Sequence, residues 1–317
     1  MKFSLSLSSL VLASVVNVAL GGATYSRTSS LAGQSFLNAF AWQAIADPTN
    51  GRVNYVTEAT AQSDGLVEVT SDTVILRADD TTTLSASGAG RNSFRIQSTN
   101  TYTTHVAIFD IQHMPQGCGT WPAVFGPNWP NEGEIDIVEG VNDQSPNHST
   151  LHCSANCTMP TGRDMTGTDD GDNCDVNETN NSGCGVALSD NNSYGPDFNG
   201  VGGGWYAVER SATYISIYFW ERGSTSVPSE VSSPGTTVDT STWGTPAAYF
   251  PSTDCNFATH FGEHNIVINL TFCGDWAGNS AVYAASGCPS TCVDYVNANP
   301  SAFTNAYFEF NALNIYE

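Results

Sequence analysis

The chain of 317 residues has very little positive charge: Lys2 is its only lysine, nine Lys and Arg stand against 31 Asp and Glu, and the formal net charge is −22. Nucleic acid and anionic membrane surfaces both attract Lys and Arg, so neither is a suitable partner. A P-loop lysine and a Schiff-base lysine are ruled out by the same scarcity. Charged residues make up only 13% of the chain, with few of the Glu, Lys and Arg that favour helices, which argues against an all-helical fold. The sequence also has no Gly-x-Ser-x-Gly elbow and no His-Glu-x-x-His pair, and Gly202-Gly-Gly204 lacks the spacing of a dinucleotide fingerprint. Beyond the N-terminus, no run reaches the roughly 18 apolar residues that a spanning helix needs. What is present is 40% apolar and 11% aromatic residues with 29 glycines, enough for a core and too much for disorder.

Residues 1–22 read as a secretory signal. Lys2 supplies the charged start, Leu5 to Leu20 an apolar stretch, and Ala19-Leu20-Gly21 or Gly21-Gly22-Ala23 a small-residue cleavage site. The C-terminal Asn314-Ile315-Tyr316-Glu317 carries neither a hydrophobic tail nor a retention tetrapeptide, so the expectation is a soluble, extracellular protein. Nine cysteines, at 118, 153, 157, 174, 184, 255, 273, 288 and 292, suit that oxidising setting as disulfides, with one left over. Cys174 with Cys184 and Cys288 with Cys292 are close enough in sequence to form loop clasps, although spacing does not fix the connectivity. His152-Cys153 with Cys157 lacks a second pair at ligand spacing, so no metal is expected. Sequons at Asn147, Asn156, Asn177, Asn180, Asn191 and Asn269 fit a glycosylated surface. Asn269 fits least well, because it lies in an apolar run.

No linker divides residues 23–317, which read as one domain. Runs rich in β-branched and aromatic residues predict strands over Thr73 to Arg77, His105 to Ile111, Tyr214 to Trp220, Asn265 to Phe272 and Tyr307 to Tyr316. Gly, Asn, Asp and Ser clusters separate them, as in a sandwich or barrel. Helix is predicted only over Leu37 to Ile45 and Val293 to Asn297, and 153–204 reads as disulfide-stapled surface loops.

The most informative segment is Trp129-Pro-Asn-Glu-Gly-Glu134-Ile-Asp136-Ile-Val-Glu139-Gly140. In a strand, Glu134 and Asp136 share one face while Ile135 and Ile137 enter the core. Glu139 falls on the wrong face unless one extra residue near Val138 makes a β-bulge, which would bring three carboxylates into one row. Carboxylates so placed repel one another and raise at least one pKa, as a proton donor beside an ionised partner requires. With a bulge, the Glu134 and Glu139 Cα atoms lie on the order of 13 Å apart, which inward-leaning side chains could close to roughly the 5–5.5 Å of a retaining glycosidase pair. Inversion stays open on this estimate. Trp121 and Trp129 just upstream offer flat faces on which a pyranose can stack.

Glu134-Ile-Asp136-Ile-Val-Glu139 resembles the signature of glycoside hydrolase family 16, and is most similar to secreted fungal laminarinase-type endo-β-1,3(4)-glucanases. The resemblance continues through Gly51-Arg-Val-Asn-Tyr55, Ile75-Leu-Arg-Ala-Asp79, His113-Met-Pro-Gln-Gly-Cys-Gly-Thr-Trp121, Gly140-Val-Asn-Asp-Gln144 and Asn269-Leu-Thr-Phe-Cys-Gly-Asp-Trp276. It implies an all-β jelly-roll sandwich of two antiparallel sheets with a concave cleft, and a retaining double displacement. It further implies Glu134 as nucleophile, Glu139 as general acid/base, and Asp136 between them and hydrogen-bonded to the nucleophile. His152 matches a family histidine near the nucleophile; Asn54, Arg77, Trp121, Trp129 and Trp276 match positions lining glucose subsites on the non-reducing side. Two departures stand out: Ala123 to Asn128 is shorter than in relatives and carries Phe125 where an aromatic belongs, and Cys153 is additional to eight usual cysteines. The resemblance thus implies a secreted, monomeric endo-β-1,3(4)-glucanase that acts on β-glucan without a cofactor. Its rivals are a wall-remodelling transglycosylase and a catalytically silent β-glucan-binding jelly roll.

Overall fold

The β-branched and aromatic runs form strands that pair across long stretches of chain. The computed structural model describes residues 23–127 and 129–317, and among them two large antiparallel sheets enclose one buried core. The first sheet runs Thr237–Asp239, Thr24–Leu31, Tyr307–Tyr316, His105–His113, Gly204–Arg210, Tyr214–Glu221, Ala248–Pro251. Val74–Arg77 and Val67–Val69 extend it from Tyr307–Tyr316. The second runs Thr168–Asp169, Cys184–Ala187, His148–His152, Glu134–Glu139, Thr120–Pro127, Val267–Phe272, Arg95–Ser98, Phe40–Trp42. This is the expected all-β sandwich of two antiparallel sheets. A short parallel pair, Val53–Tyr55 with Arg91–Ser93, lies apart from both.

The core draws on alternate residues of each sheet: Val124, Ile135, Leu151, Val186, Ile268 and Leu270 from the second meet Phe109, Tyr206, Val208, Phe308, Phe310 and Leu313 from the first. Val106 to Phe109, within His105–His113, reads as an unbroken apolar run because both faces of the strand are covered there. Val106 and Ile108 turn outward into a separate cluster with Trp205, Tyr218, Trp220 and Trp243. Three of the seven tryptophans are therefore structural.

Several expectations need correction. The helix predicted over Leu37 to Ile45 is confined to Gly33–Asn38, after which Phe40–Trp42 extends and pairs with Arg95–Ser98. Phe36 and Phe40 imitate a helical stripe, but they stack at 5.1 Å across the chain's change of direction, and the edge of the sheet offers backbone partners that a longer helix would forgo. The second predicted helix is present as Cys292–Ala298. Cys174 and Cys184 are joined, but Cys288 does not join Cys292: Cys288 pairs with Cys118, and Cys292 with Cys273. Cys292 opens a helix and turns inward over Gly119, away from its sequence neighbour. With Cys157–Cys255 this leaves Cys153 as the one free, buried thiol among the described residues. The sequons also divide. Asn156, Asn177, Asn180 and Asn191 are exposed, whereas Asn147 and Asn269 are buried with hydrogen-bonded amides and cannot be surface acceptors. The signal assigned to residues 1–22 lies outside the described residues. No helix among the described residues is long and apolar enough to cross a membrane.

Candidate active site

The strand Glu134–Glu139 lies between Thr120–Pro127 and His148–His152. Asp136 is opposite Phe125 and Val138 is opposite Val124, so two residues of this strand, Ile137 and Val138, oppose one of its neighbour. That is the β-bulge the sequence required. Glu134, Asp136 and Glu139 are opposite Pro127, Phe125 and Ala123 on one side and His152, Thr150 and His148 on the other. Both sets keep a spacing of two, so the three acids share one face, while Ile135, Ile137 and Val138 are buried in the core.

Glu134, Asp136 and His152 each present an oxygen or nitrogen within 4.8 Å of the others, and His152 Nε2 lies 3.3 Å from Asp136 Oδ2. Burial pushes the Asp136 carboxyl up to about 8. Burial likewise raises Glu139 to about 8, with the Asp136 charge adding to the effect. His152 and the hydrogen bond from Trp121 act in the opposite direction. Glu134 is raised well above the usual carboxylate range by burial and by the charges of Asp136 and Glu139, against which His152 and Arg95 work. Asp136 and Glu139 therefore retain protons into the neutral range.

Trp121 donates its indole N–H to Glu139 Oε1 at 3.0 Å and meets Trp276 edge to face at 5.6 Å. Trp276, on the helix Gly274–Ala277, also meets His148 edge to face at 6.3 Å. Beyond the Glu134 end of the row, Trp129 is 51% exposed on the turn that leads into the strand. Glu132 in that turn accepts two hydrogen bonds at its carbonyl, from His264 Nε2 at 2.6 Å and Gly262 N–H at 2.9 Å. Gly133 has φ +81°, and a Cβ there would lie 2.4 Å from Phe261 and 2.6 Å from the His260 carbonyl, so only glycine fits.

Of the predicted site residues, Glu134, Asp136, Glu139, Trp121, His152 and Trp276 come together, with Trp129 at the edge. Asn54 lies exposed on Val53–Tyr55, its amide donating to Asn92 at 2.7 Å. Arg77 belongs to the other sheet, where its guanidinium lies over Tyr307 at 5.1 Å and within 4.0 Å of Glu68 and Asp80. Phe125 is buried in the sheet floor under Arg95, 5.3 Å from its guanidinium. Arg95 itself, held by Gln43 at 2.8 Å, is a floor residue that the sequence reading missed, as is His148, 3.4 Å from Asp170. Period-two alternation in Arg95-Ile96-Gln97 and His148-Ser149-Thr150-Leu151-His152 was the signal available for both. Cys153, Cys157 and Cys255 also cluster, but two of these sulfurs are joined in a disulfide.

The family described as XgeA-like, catalytic GH16 domain matches residues 40–316. A probable endo-1,3(4)-beta-glucanase of Aspergillus fumigatus is 44% identical over 329 residues, covering 99% of this chain and 49% of its own length. This chain thus spans about half the length of the curated relatives it matches first. Among solved structures, GH16 Laminarinase 16A from Phanerochaete chrysosporium, with 6-O-glucosyl-laminaritriose in donor and acceptor sites, superposes with a TM-score of 0.92 at 56% identity. That match covers 93% of this chain and 100% of the other. An elongating GH family 16 beta-1,3-glucosyltransferase superposes with a TM-score of 0.86 at 40% identity, covering 92% of this chain and 100% of the other.

Proposed function

Because this chain belongs to glycoside hydrolase family 16, we propose that it is an endo-β-1,3(4)-glucanase working by a retaining double displacement. The observation that carries the reading is the bulged strand, which sets Glu134, Asp136 and Glu139 in one row with Trp121 bonded to Glu139. In the first step the Glu134 carboxylate attacks the anomeric carbon while Glu139 gives its proton to the departing glycosidic oxygen. The C–O bond to the leaving sugar breaks as the bond to Glu134 forms. In the second step Glu139 removes a proton from water, and the water oxygen displaces Glu134 and restores both carboxyl groups.

Glu139 raised to about 8 is a competent donor in mildly acidic solution. Asp136, 3.3 Å from His152, tunes the charge on Glu134. Trp121, Trp276 and Trp129 supply aromatic faces for glucose rings, and His152, Asn54 and Arg77 are assigned polar contacts along the bound chain. The substrate is a laminarin- or lichenan-type β-glucan, and the protein acts as a secreted monomer, a setting that four disulfides suit. The likeness to a beta-1,3-glucosyltransferase favours one second reading, in which a sugar hydroxyl takes the place of water.

Digestion of laminarin and barley mixed-linkage glucan, with the anomer of the first products followed by NMR, tests the proposal. First products as β-anomers from both polymers are expected. First products as α-anomers, or cleavage of neither polymer, overturn it. Longer oligomers at high oligosaccharide concentration distinguish transfer from hydrolysis.

A further inference from the structure

A bulge that turns a side chain also strands backbone groups, because two residues cannot both be paired with one. Here the ladder to His148–His152 is broken between Asp136 and Glu139. The carbonyl of Ile137 and the N–H of Glu139 take partners from side chains instead. Glu139 N–H donates to Asn147 Oδ1 at 2.9 Å, and Asn147 Nδ2–H donates to the Ile137 carbonyl at 3.0 Å. Ser149 Oγ–H donates to the same carbonyl at 3.1 Å.

Asn147 and Ser149 are both fully buried, at 0% exposure. They alternate with His148 and Thr150, whose partners Glu139 and Asp136 face the cleft, so they approach the bulge from the core side. Asn147 is anchored in turn: its own N–H donates to Ser193 Oγ at 2.9 Å, and Ser193 Oγ–H donates to the Asp190 carbonyl at 2.5 Å.

We propose that Asn147, with Ser149, is a positioning residue for the reaction: it holds the bulge in the one form that aims Glu139 at the leaving oxygen. This rests on the acid/base assignment made above. One amide satisfies both stranded groups, its oxygen taking the Glu139 N–H and its nitrogen the Ile137 carbonyl, so the aim of Glu139 depends directly on it. An ordinary core hydrogen bond would contribute to stability alone. Displacement of a catalytic group by about 1 Å can cost on the order of 10²-fold in rate.

The leaving group separates the two roles. Laminarin departs as a poor leaving group and needs the proton from Glu139, whereas a dinitrophenyl β-laminaribioside departs without it. For both substrates kcat/KM reports only formation of the glycosyl-enzyme. In the full chain, Asn147→Ala is expected to lower kcat/KM on laminarin about 10²-fold and on the dinitrophenyl glycoside less than about tenfold. Equal losses on the two substrates, or no loss on laminarin, overturn the proposal. Glu139→Gln is the control: if it also loses both equally, the acid/base assignment fails. If only Asn147→Ala does, the assignment stands and the positioning role falls. Should Asn147→Ala fail to fold, Ser149→Ala decides, with a loss of roughly tenfold confined to laminarin expected and an equal or absent loss overturning the idea.

Discussion

A carboxyl group donates a proton near neutrality only if its anion is disfavoured, and burial beside a second carboxyl gives Glu139 that property. Glu134 differs from it in its surroundings: His152 works against the raised pKa of both, but Arg95 acts on Glu134 while Trp121 donates an indole N–H to Glu139, which suits the proposed roles of nucleophile and acid. The division of labour is testable at each position. Glu134→Ala and Glu139→Ala are each expected to lose at least about 10²-fold in laminarin turnover, since each removes an acid/base or nucleophilic step. On a dinitrophenyl β-laminaribioside, whose departure needs no proton, azide should partly restore Glu139→Ala and yield a β-glycosyl azide, because an anion attacks the glycosyl-enzyme without help from a base. Thin-layer or NMR detection of that product checks it. Azide rescue of Glu134→Ala with the same β-product, or turnover near wild type in either variant, would reverse or remove the assignments. These residues were legible in the sequence because acidic and apolar residues alternate there and nowhere else as clearly.

At the scale of elements, what was legible is what lies within one strand. The bulge followed from the misfit of Glu139 with period two, and five of the strands followed from their composition. What escaped was supplied from elsewhere in the chain. Asn147 was read as a sequon, since nothing local distinguishes an amide that will carry sugar from one that will hold a bulge. The edge strand Phe40–Trp42 was hidden because aromatic residues four apart fit a helix equally well. The turn before Glu134 is a further case: Gly133 reads as ordinary punctuation, yet Phe261, His260 and His264 fix its path from more than a hundred residues away. Gly133→Ala should therefore cost about 1–3 kcal/mol of stability, from a left-handed backbone and a Cβ with no room. Because the turn carries Trp129 into Glu134, the KM for laminarin oligosaccharides should rise as well. Calorimetry and initial-rate kinetics check the pair. An unchanged KM in a folded variant would mean that the turn does not position Trp129 for substrate.

For the molecule as a whole, two sets of buried groups respond to pH with opposite sign. His105, His113 and His264 are pushed down to about 4, chiefly by burial, so the unfolded chain binds more protons than the folded one between about 4 and 6.5. Their contribution to stability grows as pH rises through that window. Asp136 and Glu139 are pushed up to about 8, so the folded chain keeps protons that the unfolded chain has already released. Their contribution is intact at low pH and is lost as pH rises from about 4 to 8. Below about pH 6.5 the two trends oppose each other; above it these three histidines are neutral in both states, while Asp136 and Glu139 continue to act. The Tm is therefore expected to fall between pH 6.5 and 8 at constant ionic strength. Asp136→Asn should flatten that fall, since it removes one of the titrating groups and the charge that helps to raise Glu134 and Glu139. Calorimetry of both proteins at matched salt measures the two slopes. Equal slopes would mean that the alkaline loss of stability arises outside the carboxylate row, whereas a flatter Asp136→Asn curve would tie the stability of the fold above neutrality to the groups proposed to carry the chemistry.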